Sequence, residues 1–89
     1  MDLGHRRRKE IVDRLSRIEG HIRGLRKMVE EDKSCPDVLI QAAAVRAAID
    51  KVARIILEDH IETCMKKAVK AEKTDEYIAE LKEALSRFF

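Results

Sequence analysis

From Asp37 to Lys73 the sequence contains neither glycine nor proline. A segment so free of the two residues that interrupt helices reads as one long helix. Val38, Ala42, Val45, Ile49, Val52 and Ile56 recur along it at alternating steps of four and three, the spacing of a packed helical seam. Ala42, Ala43, Ala44, Ala47 and Ala48 crowd its early part, where small side chains let a facing helix come close. Ser34-Cys35-Pro36-Asp37 reads as its start. Ser34 can cap, Pro36 tolerates a missing donor in the first turn, and Asp37 places a negative charge at the positive end of the dipole.

Two more helices flank it. Ile11, Leu15, Ile18, Ile22, Leu25 and Val29 give a first helix over about residues 6–31, and Glu31-Asp32-Lys33 connect it to the second over 35–72. Gly20 and Gly24 lie on one face of the first helix at a cost of about 1 kcal/mol each against alanine, which implies close approach by another helix. A third helix, 74–87, starts near Thr74 with Asp75 and Glu76 in its first turn and carries Ile78, Leu81, Leu85 and Phe88 as its apolar stripe. The fold class is all-α: a single domain, 1–89, without strand pattern or internal repeat. Only three of the 89 residues are aromatic. A chain this short with so aliphatic an inventory suits helix packing between subunits.

The net charge of +2 hides an asymmetry. Residues 1–30 hold nine Lys/Arg against five Asp/Glu, and the excess gathers in His5-Arg6-Arg7-Arg8-Lys9. Such an arm suits an anionic partner, nucleic acid or a lipid surface, and equally a solvated tail. No apolar run reaches the roughly 20 residues that span a bilayer, and no secretory signal stands at the N-terminus. The expected protein is soluble and cytoplasmic, with no membrane partner and with thiols kept reduced. No Ser/His/Asp arrangement, phosphate loop or carboxylate cluster points to an enzyme.

Two cysteines in that setting point to metal binding or redox sensing. His60 and Cys64 stand four residues apart, neighbours on one helix face within reach of a common ion. Cys35 lies 25 residues before His60, which on a continuous helix is about 38 Å at roughly 1.5 Å per residue. One chain therefore cannot bring the three donors to one metal. Two antiparallel copies of the helix can, setting Cys35 of one beside His60 and Cys64 of the other. The two-fold axis would pass near Ala48 and Ile49, and symmetry gives two equivalent sites. In the first turn of its helix Cys35 meets a dipole that favours the thiolate, the form that binds metal. Two thiolates and an imidazole form a soft set that suits Cu(I); Zn(II), with water as a fourth ligand, stays open on this chemistry. His5, in the basic arm, and His21, on a helix surface or partly buried, are weaker candidates.

The run from Arg14 through Leu25 (Arg-Leu-Ser-Arg-Ile-Glu-Gly-His-Ile-Arg-Gly-Leu), then Met28, then Cys35-Pro-Asp-Val-Leu-Ile-Gln-Ala-Ala-Ala-Val-Arg-Ala-Ala, then His60 and Cys64, resembles the copper-sensitive operon repressor (CsoR/RcnR) family. The resemblance covers about His5 to Phe89. It implies an antiparallel four-helix-bundle homodimer that pairs into a homotetramer. It also implies an apo form that binds operator DNA and an inducer that releases it. The Cys-His-Cys pattern of Cys35, His60 and Cys64 is similar to the Cu(I)-sensing branch, with one Cu(I) per protomer. Nickel or cobalt sensors of the family typically have a second histidine where Cys64 stands, persulfide sensors lack the counterpart of His60, and formaldehyde sensors lack the second cysteine.

Further roles follow only from the resemblance. Glu80 matches a carboxylate that orients the ligating imidazole in copper-sensing members. Ser34 stands where some of them have a tyrosine, so the aromatic part of that hydrogen-bond relay has no counterpart at this position. Arg14, Lys51 and Arg54 match DNA-contacting positions, with Arg6, Arg7, Arg8 and Arg17 as additions. No helix-turn-helix signature is present, so such contacts would go mainly to phosphates. The implied function is a Cu(I)-responsive repressor of copper-efflux or copper-homeostasis genes. The alternatives are a thiol, persulfide, zinc, nickel or cobalt sensor of the same fold, and a copper-buffering helical dimer without DNA activity.

Overall fold

The computed structural model describes residues 6–88, all of its regular structure helical. His5, the first residue of the basic arm, lies outside the described residues. The order is α1 (Arg8–Glu30), α2 (Cys35–Lys70) and α3 (Thr74–Phe88). The long glycine-free segment forms one helix of 36 residues, as its composition predicts. Ser34 caps it: the Asp37 amide donates to the Ser34 hydroxyl at 3.4 Å.

The first two helices end at Glu30 and Lys70, one and two residues short of the expected 31 and 72, and the reason is local. Asp32 and Glu72 adopt left-handed backbone, with φ of 55° and 56°. After α1 the amide of Lys33 donates to Met28 and that of Asp32 to Val29; after α2, Lys73 donates to Ala68 and Glu72 to Val69. Each pair of bonds closes a Schellman motif, which satisfies the last carbonyls and turns the chain out of the helix. The first helix also begins later than expected. Arg6 and Arg7 form a turn, and the Arg7 carbonyl accepts the first helical bond from Ile11 at 2.9 Å.

The chain divides into two compact units. One is Arg6–Leu57, holding α1 and the first part of α2; the other runs from Glu58 and holds the rest of α2 and α3. In the first unit Ile11, Ile18, Val45, Val52 and Ile55 are buried. These come from the two predicted seams, except Ile55, which flanks one. The other seam residues fare differently: Leu15, Ile22, Val29 and Ile49 stay exposed, Val29 at 58%. Gly20 and Gly24 do not receive the close neighbour their placement predicts. A Cβ at Gly20 would meet only the Arg23 guanidinium at 3.6 Å, and at Gly24 nothing within 4 Å. In the second unit Ala68 and Asp59 are buried, while α3 has no buried residue. None of the described helices is long and apolar enough to cross a membrane.

Candidate functional site

Each candidate metal ligand sits where helix geometry puts it. Cys35 is the first residue of α2 and exposed; His60 and Cys64 occupy consecutive turns near its other end, His60 exposed and Cys64 half-buried. Both cysteines are free thiols. Cys35 belongs to the first compact unit, and His60 and Cys64 belong to the second. Among the described residues, no group of three or more His, Cys, Asp or Glu side chains is gathered closely enough to hold a metal ion.

The second unit adds a surrounding that the spacing of donors does not reveal. A cavity of about 290 Å³ is lined by Cys64, Lys67, Ala68, Lys73, Tyr77 and Glu80, among others. Glu80 thus shares a cavity with one candidate ligand. Tyr77 is the residue that sequence reasoning missed. Burial pushes its phenol above the ordinary value, and the charge of Cys64 pushes in the same direction. Its only signal in the sequence is its place one turn before Glu80 on α3, which by itself reads as part of an amphipathic face. Asp59, immediately before His60, is a further buried carboxyl that no motif singled out.

The candidate DNA contacts all lie in the first unit. Arg6, Arg8, Arg17, Lys51 and Arg54 are exposed, and Arg7 and Arg14 are half-buried. Arg7, Glu10, Arg14, Arg17 and His21 repeat along α1 and its lead-in at steps of three and four, so they share one side of the helix. The Glu10 carboxylate accepts from Arg7 Nε at 2.9 Å and Nη2 at 3.2 Å, and from Arg14 Nε at 3.1 Å. The hydrogen bonds from Arg7, and then from Arg14, hold its carboxyl below the usual carboxylate range. Arg14 and Arg17 also line a cavity of about 150 Å³ with Ile18, His21 and Ala48. There His21 Nε2 donates to the side-chain carbonyl of Gln41 at 2.8 Å, which fixes the ring between α1 and α2.

The family described as metal-sensitive transcriptional repressors matches residues 7–87. The copper-sensing transcriptional repressor CsoR of Bacillus subtilis (strain 168) is 43% identical over 89 residues, 97% of this chain and 88% of that protein. The copper-sensing repressor RicR of Mycobacterium tuberculosis is 48% identical over 56 residues, 63% of this chain and 58% of that protein. Two solved structures share the fold. The nickel-responsive transcriptional regulator InrS superposes with a TM-score of 0.76 at 56% identity, covering 91% of each chain. The Cu(I)-bound repressor CsoR of Geobacillus thermodenitrificans superposes with a TM-score of 0.84 at 38% identity, covering 90% of this chain and 83% of that one.

Proposed function

This chain belongs to the metal-sensitive transcriptional repressor family, and from that premise we propose that it is a Cu(I)-responsive repressor. Its apo form binds operator DNA, and Cu(I) held between subunits by Cys35 of one and His60 and Cys64 of the other releases it. The observation that carries the reading is the single unbroken α2, with one free thiol at its first residue and a His–Cys pair at its far end. An antiparallel pair of such helices completes the donor set twice, one Cu(I) for each protomer.

The donors fit the ion. Two thiolates and one imidazole are soft and low in number, which favours Cu(I) over harder divalent ions. When bound, the metal supplies a link between subunits. The residues do the rest: Glu80 on α3 orients the His60 imidazole, so that occupancy of α2 is felt by α3. Arg14, Lys51 and Arg54, with Arg6, Arg7, Arg8 and Arg17, hold phosphates in the apo form. Release then requires that metal prefer the conformation of lower DNA affinity, and by reciprocity DNA weakens metal binding. The dimers pair into a tetramer.

A nickel-responsive reading is the second, favoured by the 56% identity to InrS. Ni(II) commonly takes a square-planar set, so Cys35, His60 and Cys64 would need a fourth donor. The Cu(I) reading needs none. Anaerobic fluorescence anisotropy on the chain's own upstream DNA, titrated with Cu(I), Zn(II) and Ni(II), separates them. Release at one equivalent of Cu(I) per chain, with little response to the others, is the expected result. Release by Ni(II) alone would transfer the assignment to nickel, and binding that no metal reverses would remove metal sensing altogether.

A further inference from the structure

Glu10 stands among the candidate phosphate contacts with the opposite charge. It lies three residues after Arg7 and four before Arg14, the two spacings that put side chains next to each other on a helix. The ion pairs Lys9–Asp13, Lys27–Glu31, Lys66–Glu62 and Arg87–Glu83 involve no residue matched to DNA contact. Glu10 instead takes two guanidinium groups, both of them candidate contacts. It holds Arg7 through Nε and Nη2 together, the two-pronged edge that a phosphate would otherwise use.

We infer that Glu10 is an affinity-setting residue of the DNA-binding face: its carboxylate occupies Arg7 and Arg14 in the free protein and competes there with DNA phosphates. The inference rests on the reading that α1 and its lead-in contact DNA. The trio carries one net positive charge where the two arginines alone would carry two. A phosphate arriving at either guanidinium must displace the carboxylate or sit beside it, and either lowers the gain from binding. A limit on affinity suits a repressor that a metal must release, because coupling between two ligands is typically only about 5- to 150-fold. A face without the carboxylate would hold DNA more tightly and leave less of that factor in reserve for release.

The test is Glu10→Gln, which keeps the shape and an acceptor oxygen but loses the charge. Apo protein is titrated by anisotropy into a labelled duplex of its own upstream DNA over a series of salt concentrations. Glu10→Gln is expected to bind roughly five- to tenfold more tightly near physiological salt, where screening still leaves close charges coupled. The plot of log affinity against log salt is expected to steepen by up to about 0.9, one phosphate contact's worth. In an Arg7→Ala/Arg14→Ala background most of that gain should vanish, since no guanidinium remains to be freed. Unchanged or weaker binding by Glu10→Gln overturns the inference, as does a full gain in the double-alanine background. If the unaltered chain itself fails to bind the duplex, the DNA-binding reading falls and takes this one with it. If it binds and Glu10→Gln matches it, only the role of Glu10 falls.

Discussion

His60 and Cys64 are one helical turn apart, whereas the proposed third ligand comes from another subunit, so the three donors do different work. In the proposed site the thiolates of Cys35 and Cys64 would dominate affinity for a soft ion. The imidazole is the ligand with a second ring nitrogen, through which a neighbour can register that the first is occupied. His60→Ala is therefore expected to retain Cu(I) in a competition titration while losing copper-driven release from DNA. Undiminished release would exclude His60 as the relay. The candidate pair was legible in the sequence because residue type and a four-residue step suffice to propose chelation. Tyr77 was not, because what sets it apart is the cavity it shares with Cys64, and spacing along α3 says nothing about what α3 faces. Glu10 falls between: its steps to Arg7 and Arg14 were visible, but which of several partners each arginine takes is settled by side-chain geometry.

The boundaries of the helices are an element-scale matter, set by their closing turns. Asp32 and Glu72 both hold the left-handed position that glycine fills in most Schellman motifs. A side chain there is strained, less so for aspartate than for glutamate, since short polar residues visit this region more readily. Glu72→Gly should raise stability by about 0.5–1 kcal/mol, the relief of strain exceeding glycine's extra unfolded-state entropy. Asp32→Gly should gain less. Urea denaturation of the two variants checks both; a loss of stability in Glu72→Gly would mean that its side chain makes a compensating contact. Apolar periodicity could not place these ends: on α1 it runs to Val29, at the turn itself, and on α2 the four–three seam gives out after Ile56, well inside the helix.

Among the described residues, many large apolar side chains stay exposed. Leu39, Ile40 and Ile49 on α2 are 67%, 64% and 45% exposed, and Val12, Leu15, Ile22 and Val29 on α1 are exposed with them. Surface of this kind marks an interface, and Gly24 of α1, with nothing within 4 Å of where a Cβ would stand, suits the same explanation. Ile49 lies near the middle of the span from Cys35 to Cys64, where the two-fold axis of an antiparallel dimer would pass. A residue on such an axis meets its own copy. Ile49→Glu would set two carboxylates against each other and is expected to shift the dimer toward monomer in sedimentation velocity. It should also lower Cu(I) affinity, since the site loses its partner's donor. An unchanged mass would rule out this pairing of α2.

Three helices, the continuity of α2 and the placement of Cys35, His60 and Cys64 along it were determined by sequence alone. Helix rise and turn are fixed by the backbone, so spacing converts directly into position on a helix. Tertiary structure decided the rest: that Ile18 and Val52 are buried while Ile22 and Ile49 of the same seams are not, and that Cys64 lines one cavity with Tyr77 and Glu80. It also decided that His21 reaches Gln41 rather than solvent. Burial and partnership depend on what another element brings to the same point in space, and a residue's own neighbours in the chain carry no record of that.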